Sequence, residues 1–152
     1  MTSTMENQEI KFVGTFELGN KVDITDPCYN KDVWCRITTD CTPGKYYAYA
    51  LLKDEGEWGM RVASLAIYLD NKIVSNPKWE YIGEIGVDAG MAGFFRDKPD
   101  YDDDAWSDFC NQIGNKDFVE LGYGVVSSSG YGDGSYNVYT NKDRSAFMIQ
   151  FL

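Results

Sequence analysis

The sequence predicts a mostly β domain, an antiparallel β-sandwich or flattened barrel of about eight or nine strands with one short helix near 103–114. Three observations lead there. Aromatic residues make up 15% of the 152-residue chain, with eleven Tyr and eight Phe, and such residues favour strands over helices. Apolar residues recur with period two, or in short continuous runs, between clusters of Gly, Pro, Asn and Asp. A single segment, 105–113, carries its apolar residues at clear helical spacing.

The elements follow in chain order. Residues 1–8 are polar and read as a disordered tail, which leaves 9–152 as a single β-rich domain. Residues 9–18 place Ile10, Phe12, Phe16 and Leu18 on alternate positions, and Gly14 on the same row signals a bulge or a close approach. Gly19-Asn20 reads as a hairpin-type turn into a strand at 21–25, which Asp26-Pro27 stops. Residues 33–38 fit a short strand or a turn of helix. Pro43-Gly44 turns into 45–53, apolar throughout like a central strand covered on both faces. The loop 54–57 then closes a hairpin to 58–69, its expected neighbour. Asp70-Asn71-Lys72 and Ser75-Asn76-Pro77 bound the next connection, and 79–87 and 91–96 read as strands.

Asp102-Asp103-Asp104 caps the helix, whose Trp106, Phe109, Cys110 and Ile113 share one face. Acids at its first turn suit the helix dipole, and Gly114 or Asn115 ends it. Strands at 118–127, 131–140 and 145–152 complete the chain, with the helix expected over one opening of the sandwich. Phe12-Val13-Gly14-x-Phe16 before Val22-Asp23 is echoed by Tyr81-Ile82-Gly83-x-Ile85 before Val87-Asp88. Such an echo is what a duplicated half would leave.

Composition narrows the function. A net charge of −10 and a pI near 4.3 argue against direct binding to nucleic acid or anionic membrane, because phosphate contacts need Lys and Arg. The chain has no histidine. That removes Ser-His-Asp and Cys-His catalysis, His-ligated metal sites and the usual switch near neutral pH. Cys28, Cys35, Cys41 and Cys110 form no Cys-x-x-Cys pair, so a zinc site is not expected. Bridges between Cys28 and Cys41 or Cys35 and Cys110 stay open. The polar N-terminus is unlike a signal peptide and no apolar run is long enough for a membrane span, so a cytoplasmic location is expected.

Three aspartates stand in tight-turn sequences beside strands: Asp26 in Asp-Ile-Thr-Asp-Pro-Cys-Tyr, Asp88 in Gly-Val-Asp-Ala-Gly and Asp133 in Gly-Tyr-Gly-Asp-Gly-Ser-Tyr. Each can simply fix a turn. If they converge, they form a rim, and with Tyr29, Tyr131 and Tyr136 a binding place for a small polar ligand. With Asp23 added, clustered carboxylates would suit Mg²⁺ or Ca²⁺. Cys28 lacks a neighbour that would make it a nucleophile. Asp97, Asp100, Asp102, Asp103, Asp104 and Asp108 form the densest charge, a solvated helix start or a docking surface for a basic protein partner. Tyr101 and Trp106 are aromatic anchors beside it.

Together, residues 22–29, 85–90 and 130–139 resemble a family of uncharacterised small bacterial and phage proteins. Its motifs are Asp-Pro-Cys-Tyr, Val-Asp-Ala-Gly and Gly-Tyr-Gly-Asp-Gly-x-Tyr. The resemblance covers 13–151 and implies one full-length domain and no particular activity.

The expected function is a non-enzymatic acidic binding domain for a small polar ligand or a basic protein surface, with an inhibitor, immunity or sponge-like role. The alternatives are a divalent-metal-dependent hydrolase using Asp23, Asp26, Asp88 and Asp133, and a structural oligomer subunit.

Overall fold

Alternating apolar residues build eleven strands in two antiparallel sheets, in a computed structural model that describes residues 8–73 and 78–152. Of the expected tail at 1–8, residues 1–7 lie outside the described residues, as does the Ser75-Asn76-Pro77 turn within 74–77, while Gln8 already belongs to the first strand. The strands are β1 Gln8–Leu18, β2 Lys21–Thr25, β3 Ile37–Asp40, β4 Gly44–Asp54, β5 Met60–Leu69, β6 Glu80–Val87, β7 Met91–Phe95, β8 Phe118–Glu120, β9 Gly124–Ser128, β10 Gly134–Thr140 and β11 Ala146–Gln150. A 3-10 turn at Gly56–Trp58 opens the β4–β5 connection, and helix α1 spans Asp103–Ile113.

One sheet has the order β1-β4-β5-β11-β10-β6 and the other β3-β2-β7-β9-β8. The sandwich is therefore open and does not close into a barrel. Between the sheets lies one apolar core that includes Phe16, Ile24, Tyr46, Leu65, Ile85, Phe94, Phe147 and Ile149. The six-stranded sheet contributes alternate residues to it, as a sheet with one buried face should.

Several expectations change in detail. Gly19-Asn20 does not make a hairpin: β1 pairs with β4, while β2 pairs with β3 and β7, so this turn carries the chain from one sheet to the other. The residues 45–53 are not covered on both faces. Tyr46, Ala48, Ala50 and Leu52 are buried, whereas Tyr47, Tyr49 and Leu51 are half-buried on the outer face. The outer rings sustain one another, with Phe12 5.5 Å from Tyr49 and Tyr49 6.2 Å from Tyr68.

The strands covered on both sides are β7 and β9. Phe94 and Val125 face the main core, while Phe95 and Val126 face outward onto Phe109 and Ile113 of α1. That second apolar surface decides where the helix goes. It lies on the outer face of the five-stranded sheet, rather than over an opening. Segment 118–127 splits into β8 and β9 around a turn at Gly122, held by the Leu121 N–H on the Gly124 carbonyl at 2.9 Å.

The two sheet orders share a symmetry. Replacing β1, β2, β3, β4 and β5 by β6, β7, β9, β10 and β11 reverses the six-stranded order and the β3-β2-β7-β9 part of the other. The chain thus uses a five-strand unit twice, with α1 and β8 inserted in the second. The echoed tripeptides sit on equivalent edge strands at equivalent bulges, at Phe12–Gly14 against β4 and at Tyr81–Gly83 against β10. A Cβ on Gly14 would lie 2.8 Å from Glu120, and one on Gly83 3.0 Å from Ile37, so both glycines admit a side chain from the opposite sheet.

Candidate functional site

The three aspartate turns come together at one end of the sandwich. β2 ends at Thr25, and the next residue, Asp26, is fully buried. Its Oδ1 accepts the Cys28 N–H at 2.9 Å, and its Oδ2 accepts the N–H groups of Asp88 at 2.8 Å and Ala89 at 2.6 Å. One carboxylate therefore shapes its own turn and fastens the 86–90 turn to it. The third turn joins through the Ser129 N–H on the Gly90 carbonyl at 3.1 Å, and through pairing of Gly134 with Val87.

The turns converge, yet the carboxylates do different things. Asp88 and Asp133 are exposed, whereas Asp26 is enclosed. Asp23 accepts from the Thr38 hydroxyl at 2.7 Å and from the Lys98 N–H at 2.9 Å, and it faces Arg36 at 3.4 Å. Among the described residues, no three His, Cys, Asp or Glu side chains are grouped so that they could hold a metal ion.

The three tyrosines also part. The Tyr136 hydroxyl lies 2.6 Å from the Gly132 carbonyl, and its ring meets Phe151 edge-on, so it closes its own turn. Tyr131 is exposed and reaches the β4–β5 hairpin, donating to Glu55 at 2.8 Å beneath the Arg61 guanidinium. Tyr29 lines a cleft of about 220 Å³ with Trp34, Cys35, Gly86, Gly134 and Ser135. Trp34, 92% exposed, stands at its side. A Cβ on Gly86 would lie 3.1 Å from the Cys35 sulfur, so glycine there permits the close fit. Burial, followed by the neighbouring Cys35, raises the Tyr29 hydroxyl pKa and keeps it protonated.

A second cleft, of about 250 Å³, lies between the first turn and the start of α1. It is lined by Cys28, Asn30, Tyr101, Asp102, Asp103 and Trp106. Asp102 caps the helix by accepting the Ala105 N–H at 2.8 Å, and Asp100 accepts the Lys31 N–H at 2.9 Å, which ties the acidic loop to the first turn. Asp103 and Asp104 are exposed. Burial, followed by Asp26, pushes the Cys28 thiol up to about 12, so at neutral pH it is no thiolate nucleophile. All four cysteines are free thiols.

Lys98 is the site residue that the sequence reading missed. Its side chain is fully buried, and its ammonium donates to the carbonyls of Pro99 at 2.7 Å and Tyr29 at 3.0 Å, 4.6 Å from the Tyr101 ring centre. It thereby joins the loop after the first turn to the loop before α1. Burial, followed by the like charge of Arg36, lowers its pKa to about 8. The one legible signal was a lysine between acids and before Pro99. A larger surface hollow of about 340 Å³, lined by Gly19, Asn20, Lys21, Arg96 and Asp97, holds no residue of the three turns.

No helix among the described residues is long and apolar enough to cross a membrane. In comparisons with known proteins, the chain matches no family model, no curated protein and no solved structure.

Proposed function

We propose that the protein is a non-enzymatic binding domain whose cleft at the start of α1 receives a basic side chain of a protein partner. The observation that carries this reading is the company in that cleft: Asp102 and Asp103 with the rings of Tyr101 and Trp106. Carboxylates beside aromatic rings suit a guanidinium or ammonium, through charge-assisted hydrogen bonds and attraction to the ring faces. Asp102 alone meets the capping need of α1, so the exposed Asp103 and Asp104 are surplus to it. The net charge of −10 would steer a basic partner toward the molecule. A protonated Cys28 and the lack of histidine favour binding over chemistry. An inhibitor, immunity or sponge-like role in the cytoplasm fits a small acidic domain with free thiols.

Titration calorimetry with an arginine-rich peptide tests this reading. Neutralising Asp103→Asn and Asp104→Asn together should weaken binding roughly tenfold, while the helix cap stays in place. A control pair, Glu57→Gln and Asp143→Asn, removes the same charge elsewhere and should change affinity by less than about threefold. Equal losses in both variants, or no binding of the peptide, would sink the proposal.

A further inference from the structure

We infer that two copies of the chain associate through the N-terminal half of β1, each copy pairing Gln8–Phe12 antiparallel with the same segment of the other about Ile10. A sheet edge left bare is a template for another strand, and folds normally blunt such edges. Here the other edges are blunted. β3 has four residues and β8 three. The β6 edge is blunted at its C-terminal end, where the Gly86 N–H is held by the Cys35 carbonyl at 2.9 Å, and nearer its N-terminus it carries the exposed acids Glu80 and Glu84.

β1 differs. It is eleven residues long, and among the described residues it pairs on one side only, with β4. Beyond its bulge, Gln8, Glu9, Ile10, Lys11 and Phe12 are all exposed. Ile10 is 71% exposed and Phe12 54%.

Charge complementarity selects a second copy as the occupant. The exposed run ends at the bulge after Phe12, and its centre is Ile10. Antiparallel pairing about that centre sets Glu9 opposite Lys11 of the second copy, and this ion pair occurs twice, once on each side of the two-fold axis. Ile10 then meets its own counterpart, and Phe12 lies over Gln8. Glu9 and Lys11 already share one face of the strand, 2.7 Å apart within a single chain, so pairing asks for a change of partner and no burial of lone charge. Contacts of this kind are self-complementary and close as a dimer. Phe12 and Tyr49 would extend the outer aromatic surface of the six-stranded sheet up to the axis.

Sedimentation equilibrium of the full chain at about 0.15 M ionic strength tests the inference. The wild type should show a concentration-dependent monomer–dimer equilibrium. Glu9→Lys alone or Lys11→Glu alone sets like charges opposite each other twice and should raise the dimer dissociation constant roughly tenfold or more. The double exchange, Glu9→Lys with Lys11→Glu, restores both pairs and should bring the constant back to within about threefold of wild type. Tyr81→Ser, on the far edge of the same sheet, should leave it unchanged. Matching thermal melts would show that every variant is folded. A wild type that stays monomeric would overturn the inference. So would single exchanges without effect, a double exchange that fails to recover, or a Tyr81→Ser variant that loses the dimer.

Discussion

Removing the buried Asp26 carboxylate would take the acceptor from the partly buried N–H groups of Cys28, Asp88 and Ala89. Donors that lose their partner inside a fold are costly, and here one side chain serves three of them across two turns. Asp26→Ala should lose about 3–5 kcal/mol of stability in urea unfolding, and a loss below about 1 kcal/mol would show that the turns hold without it. Lys98 makes the opposite kind of prediction. Its pKa is lowered to about 8 from 10.5, so below about 8 both folded and unfolded chains carry the charge and the fold bears the whole penalty of burying it. Between the two values the unfolded chain still holds a proton that the folded chain has released, so this site's contribution to stability rises with pH there. Raised thiols act the other way, since Cys28 goes to about 12 and Cys41 to about 11 from 9.0 and stability falls as pH passes 9.0. Comparison with Lys98→Met cancels them. Between about pH 7.5 and about pH 10.5 the wild type should gain on that variant by at most about 3 kcal/mol. A constant difference across that range would mean that Lys98 titrates normally.

The β7–β9 pair shows how element placement follows from side-chain pattern. Two adjacent apolar residues on each strand, Phe94-Phe95 and Val125-Val126, give that region two apolar faces, and α1 is the element with an apolar stripe to cover the outer one. Its extent and cap were readable, because Asp102 precedes apolar residues at helical spacing. Its docking face was not, since the same stripe would serve equally well over an opening. Close approach of the two strands depends on Gly93, where a Cβ would run into the Val125 backbone oxygen. Gly93→Ala should therefore cost more than about 4 kcal/mol or prevent folding, read by thermal denaturation. A mild effect would mean that the β7–β9 ladder can shift.

At the scale of the molecule, the repeated five-strand unit interlocks with its copy. The six-stranded sheet joins the halves at β5–β11 and the five-stranded sheet joins them at β2–β7, so neither half owns a closed core. Fragments 1–73 and 74–152 should each fail to unfold cooperatively alone, because each exposes two interior strand edges. Co-expressed, they should co-purify and regain a single melt. A fragment that melts cooperatively by itself would show an independent unit. The equivalence of the two edge strands β1 and β6 was hinted at by the echoed tripeptides around Gly14 and Gly83, whereas the topology that makes them equivalent involves residues far apart in the chain.

Period-two runs, turn residues and one helical stripe were enough to determine an antiparallel β-sandwich or flattened barrel with a single helix, because those signals are local and each reflects the direction in which neighbouring side chains point. The same locality let the three aspartate turns be found but not assigned. Tertiary structure decided that Asp26 lies inside and binds two turns together, while Asp88 and Asp133 face solvent. It also decided that the chain leaves β1 for the other sheet at Gly19-Asn20, and that Lys98 is buried among carbonyls. The physical reason is common to all three: burial and hydrogen-bond partners depend on which distant segments arrive at a residue, and a carboxylate or ammonium looks the same in sequence whether water or backbone surrounds it.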